Sequence, residues 1–89
     1  MKKTVSFTMY KLNMQTLKIG DSVIWRGTWG ADPPKEAIVT EIELTEGVRE
    51  RHGHAVETVF WTTVRDNRVV VSLDNGHWAY GEQISPVGS

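Results

Sequence analysis

No stretch of this chain sustains an apolar period of 3.6 residues. Its apolar residues alternate instead, in short runs cut by glycine, proline and Asx-type turns. A two-residue period is the mark of a strand with one face buried, so the pattern predicts an all-β protein and excludes a helical bundle. Val5, Phe7 and Met9 alternate with Ser6 and Thr8, and Leu17 to Trp25 opens the main body through a Gly20-Asp21 turn. Val23 and Trp25 fall on one face there and Ile24 on the other. Residues 26–35 carry two glycines and two prolines and read as a loop.

The run from Glu36 to Leu44 changes parity. Ala37 and Val39 lie on one side, Ile42 and Leu44 on the other, so a bulge near Thr40-Glu41 is expected to return both pairs to one face. A charged loop from Thr45 to His54 follows. Residues 55–64, with three valines, three threonines, Phe60 and Trp61, read as one strand. Asp66-Asn67 then reads as a two-residue hairpin corner into Val69–Leu73, and Asn75-Gly76 as the strongest turn signal. Trp78–Gly81 is expected as one 3₁₀ turn, and 82–87 as a last strand that Pro86 places at a sheet edge. The predicted core is Ile19, Val23, Trp25, Val39, Ile42, Phe60, Val69, Val71, Leu73 and Ile84.

Gly20-Asp21-Ser22-Val23 followed by a long loop, the Ala37/Val39/Ile42 pattern, and Leu73-Asp74-Asn75-Gly76 leading to a one-turn element and a closing strand near Ile84 together resemble an SH3-like small β-barrel, in the broad sense that includes KOW and Tudor domains. The resemblance implies a single barrel of about five antiparallel strands over residues 14–89. Residues 1–13 are then an N-terminal strand or a leader. The Ala-Leu-Tyr-Asp-Tyr signature of signalling SH3 domains is missing, as is the basic surface of ribosomal KOW domains, so neither activity carries over. With Trp25-Arg26-Gly27-Thr28-Trp29-Gly30 and Asn75-Gly76-His77-Trp78-Ala79-Tyr80, the whole chain is similar to small proteins of bacteria and mobile elements that bring no activity to transfer.

Composition narrows the function classes. Ten Lys plus Arg against eleven Asp plus Glu gives 10 − 11 = −1, which removes the bulk attraction that non-specific nucleic-acid binding uses. The absence of cysteine excludes disulfides, thiolate metal sites and a cysteine nucleophile. No apolar run approaches a membrane span, and the polar residues after Met1-Lys2-Lys3 do not form a signal-peptide core, so a cytoplasmic protein without a membrane partner is expected. Eighty-nine residues leave little room for a deep enzyme pocket. Ser22, Ser72 and Ser85 lack a hydrolase elbow, and Asp74 beside His77 reads as a turn residue rather than half of a dyad, so no catalytic residue is assigned. His52 and His54 lack a cysteine or carboxylate to complete a metal set and read as surface residues; no metal or cofactor is expected.

Four tryptophans are many for this length, and Trp25 and Trp61 lie inside apolar runs that suit a core. Trp29 and Trp78 lie instead in or beside glycine turns. On the SH3-like reading they flank one groove with Pro33, Pro34 and Tyr80, while Asp32 or Glu82 selects a basic partner. The expected function is therefore a non-catalytic binding or adaptor module that takes a protein or peptide through Trp29, Asp32, Pro33, Pro34, Trp78, Tyr80 and Glu82. The alternatives are a nucleic-acid accessory protein using Arg49, Arg51, Arg65 and Arg68, and a mobile-element regulator that blocks a host protein surface.

Overall fold

A computed structural model describes residues 15–27 and 33–87. The N-terminal strand expected at Val5–Met9 lies outside the described residues. Within them the protein is mostly β, with eight strands: β1 (Thr16–Lys18), β2 (Ser22–Trp25), β3 (Lys35–Leu44), β4 (His54–Val56), β5 (Thr58–Phe60), β6 (Val69–Leu73), β7 (Trp78–Tyr80) and β8 (Ile84–Pro86). One short helix, α1 (Trp61–Arg65), and one 3₁₀ turn (Gly81–Gln83) complete it. All pairings are antiparallel. The main sheet runs β7-β6-β3-β2-β8, with β4 also on β3, while β1 and β5 form a separate pair.

β3 organises the main sheet. Its first half pairs with β2, Ser22 opposite Ile38, and its second half with β6 and β4. The register shifts between Val39 and Glu41, where the change of parity predicts a bulge. The extra residue lets Ala37, Val39 and Ile42 all enter the core despite their spacing. The sheet curls enough for Trp25 on β2 to stack on His77 just before β7, ring centroids 4.7 Å apart, although β3 and β6 lie between those strands. It does not close, because β7 and β8 remain its two ends.

The turns follow backbone chemistry. Gly76 has φ +88°, the left-handed conformation that Asn-Gly turns supply. Asp74 locks this turn to β3: its N–H donates to the Ile38 carbonyl at 2.9 Å and its carboxylate accepts the Ile38 N–H at 3.0 Å. Asp74 is thus a turn residue, as the sequence implies.

Of the predicted core, Val23, Trp25, Val39, Ile42, Val69, Val71, Leu73 and Ile84 are buried, and Trp61 is structural as expected. Two members are not. Ile19 is 44% exposed because β1 ends at Lys18 and the chain turns there, leaving Leu17, fully buried, as the core residue of that strand. Phe60 is 48% exposed because Val59 takes the inward position opposite Leu17 and Phe60 lies on the other face opposite Thr16.

The single strand expected over 55–64 is divided into β4, β5 and α1. Trp61 and Val64, three residues apart, both reach the core only if the chain turns helical after Phe60; burial of an indole outweighs the strand preference of the threonines and valine. The expected two-residue hairpin at Asp66-Asn67 is therefore a helix end. Asn67, at φ +62°, takes the left-handed position that stops a helix, and its N–H bonds back to the Val64 carbonyl at 2.9 Å. The 3₁₀ turn expected at 78–81 lies at Gly81–Gln83, because Trp78–Tyr80 pair with Val70–Ser72 as β7. The last strand is shorter than expected, Ile84–Pro86, and it does form the sheet end that Pro86 suits.

Gly81 packs against α1. A Cβ there would lie 2.4 Å from the Val64 carbonyl oxygen, which is backbone and has no rotamer through which to retreat. Gly81→Ala is expected to destabilise the protein by about 1–3 kcal/mol, as overpacking does, read from the urea midpoint. Leu17→Ala should cost about 2–5 kcal/mol and Ile19→Ala less than about 1 kcal/mol. Equal losses at 17 and 19 would mean that β1 packs otherwise.

Candidate functional site

The outer face of the β3-β6-β7 region holds the described candidates that meet. On β7 the burial pattern alternates: Ala79 points inward, Trp78 is 43% exposed and Tyr80 is half-buried. Register carries the same face across the sheet, Trp78 beside Ser72 and Glu41, Tyr80 beside Val70 and Glu43. The Trp78 and Tyr80 rings meet edge to face at 5.2 Å.

The loop between β3 and β4 folds over this face. Arg51 sets its guanidinium 4.1 Å from the centre of the Trp78 ring, and Arg49 sets its own 4.9 Å from that of Tyr80. Arg49 also pairs with Glu82 at 3.2 Å. The order along the surface is Arg51, Trp78, Tyr80, Arg49, Glu82. Val70, the register partner of Tyr80 and outside the main core, is only 3% exposed. Sequence reasoning counted Val69 and Val71 as core and missed Val70, because alternation along β6 alone gives no sign that a distant loop covers the second face.

Short hydrogen bonds hold that loop. The Thr45 hydroxyl donates to the Gly47 carbonyl at 2.8 Å, the Gly47 N–H donates to Glu50 at 3.1 Å, and the Gly53 N–H donates to Glu43 at 3.0 Å. Asn67 ties loop, helix and 3₁₀ turn together. Its backbone carbonyl accepts the Arg49 N–H at 2.8 Å, and its side-chain oxygen accepts the Glu82 N–H at 3.1 Å. The two residues of the ion pair are thus both positioned by one buried asparagine. The Gln83 side chain steadies Tyr80 by accepting its N–H at 3.0 Å.

The expected binding residues and the expected nucleic-acid residues therefore form one surface in part. Trp78, Tyr80 and Glu82 meet Arg49 and Arg51. Arg65 on α1 and Arg68 before β6 are exposed and take no part in these ring and ion-pair contacts. Pro33 and Pro34 are exposed ahead of β3, and the ring contacts of Trp78 and Tyr80 do not involve them. Trp29 and Asp32 lie outside the described residues. No local periodicity pairs Arg49 with Tyr80 or Arg51 with Trp78, because the contact runs between the loop before β4 and strand β7, about thirty residues further along the chain.

Chemically, the surface offers rings, guanidinium donors and carboxylates, the means of recognition by stacking and ion pairing. Asp74 is bound to β3 and the His77 ring stacks on Trp25. Beside β1 a shallow depression of about 170 Å³ is lined in part by Asp21, Ser22 and Trp61. The Asp21 carboxylate there accepts the Lys18 N–H at 2.9 Å, closing a turn. Among the described residues no three His, Asp or Glu side chains gather as a metal site, and no helix is long and apolar enough to cross a membrane. The chain matches no family model, no curated protein and no solved structure.

Asn67→Ala removes an acceptor from the Glu82 N–H and puts a β-carbon residue less suited to the left-handed region at φ +62°. It is expected to lower stability by about 1–3 kcal/mol and to weaken the near-ultraviolet dichroism of the Trp78–Tyr80 pair. A dichroism signal identical to wild type would show that Asn67 does not position this face.

Proposed function

We propose that this chain is a small non-catalytic binding module, built on an open SH3-like barrel, that takes a protein or peptide segment on the outer face around Trp78 and Tyr80. The SH3-like part rests on the β7-β6-β3-β2-β8 path, on the long bulged β3 shared by both halves of the curl, and on the 3₁₀ turn just before the last strand. The single observation that carries the binding part is Trp78. A 43% exposed indole on a sheet face, held in place by Tyr80 and Arg51, is a rigid apolar anchor of the kind that dominates binding energies.

The partner is basic. Glu41 and Glu43 stand on the same face of β3, and Glu82 closes its Arg49 end. These three carboxylates outnumber the two arginines among them. The same balance disfavours a nucleic-acid strand, whose phosphates would meet the carboxylates, although arginines beside rings also suit a single-strand platform.

Selection of peptides on the immobilised protein tests this. Enriched peptides should be rich in Lys and Arg, and Trp78→Ala should weaken them by about tenfold or more, a loss typical of a buried aromatic anchor. Their affinity should change little with salt compared with polyanion binding. Binding of a single-stranded oligonucleotide that falls steeply between about 50 and 200 mM salt, with no peptide selected, would replace this reading with the nucleic-acid one.

A further inference from the structure

Each ring of the proposed docking face is already covered by a cation of the same chain, and the two covers are held very differently. Arg49 lies over Tyr80, pairs with Glu82, and has its backbone N–H fixed by Asn67. Arg51 lies over Trp78, and among the described residues no carboxylate comes within ion-pair distance of it. Its hold on the face is the ring contact, of a kind worth about 0.5–1 kcal/mol at an exposed site. We infer that Arg51 is an occupant in cis of the Trp78 seat. An arginine of the basic partner segment displaces it and takes its place on the indole. This inference rests on the docking face proposed above and specifies how that face is regulated.

Two observations favour displacement over direct use of Arg51 by the partner. The seat holds a guanidinium at 4.1 Å, so its geometry accepts the group that a basic segment would bring. Charge points the same way. With Arg51 lifted away, Arg49 alone remains among Glu41, Glu43 and Glu82, so the face goes from one net negative charge to two, and an incoming arginine returns it to one. An acidic segment drawn to Arg51 would instead approach those carboxylates.

The test measures fluorescence anisotropy of labelled hexa-arginine and hexa-glutamate peptides with the full chain. Arg51→Ala should bind hexa-arginine about two- to five-fold more tightly than wild type, the ratio that matches removal of one exposed cation–π contact. Arg65→Ala, which removes the same charge from the surface of α1, controls for the change in net charge and should give a smaller gain. Circular dichroism confirms that each variant is folded. A gain in Arg51→Ala no larger than that in Arg65→Ala, weaker binding, or no binding of hexa-arginine by Arg51→Ala overturns the inference. So does hexa-glutamate binding to wild type that disappears in Arg51→Ala, which would make Arg51 a ligand for acidic segments. Trp78→Ala separates the two levels. If it leaves hexa-arginine binding unchanged, the docking face itself fails; if it abolishes binding while Arg51→Ala brings no gain, only the displacement fails.

Discussion

The main sheet depends on one strand. β3 is ten residues long and pairs with β2, β4 and β6, so its backbone hydrogen bonds join both ends of the curl. A regular strand of this composition would turn either Ala37 and Val39 or Ile42 to solvent. The irregularity at Thr40 resolves that conflict and adds the local bend by which the sheet brings Trp25 against His77. Core formation and curvature thus come from the same extra residue.

The outer face depends on the inner one. α1 exists because Trp61 and Val64 must both be buried, and its end places Asn67 in a left-handed conformation between the charged loop and the 3₁₀ turn. From there Asn67 fixes the backbone of Arg49 and of Glu82, and these residues pair above Tyr80. The ion pair itself is exposed and contributes little to stability; its contribution is geometric. A core requirement on one side of the sheet is passed through three hydrogen-bonded segments to a surface on the other.

That surface has an aromatic centre and mixed charge. The exposed indole supplies apolar area, and the carboxylates of β3 and the two arginines surround it with charge of both signs. Arg49 belongs to the framework because several groups hold it. Among the described residues Arg51 lies over the Trp78 ring and in no ion pair, the difference on which the proposed exchange rests.

Alternation and turn chemistry were legible in the residues themselves. The all-β class, the bulge before Ile42, the Asn75-Gly76 turn, the sheet-edge Pro86 and eight of the ten proposed core residues follow from local rules: side chains alternate along strands, and glycine accepts positive φ. Trp78 and Tyr80 were named as surface candidates from their place beside glycine turns on the SH3-like reading, and Glu82 for its charge. Three things were decided only by tertiary structure. The threonine-rich run before Arg65 became a helix because the core had room for Trp61 and Val64 together, which outweighs a weak strand preference. Leu17 and Val59 replaced Ile19 and Phe60 because a turn and a pairing register decide which of two adjacent apolar residues faces inward. The union of Arg49 and Arg51 with the rings of β7 required the 45–53 loop to fold across the sheet, a contact between distant segments that no local periodicity encodes.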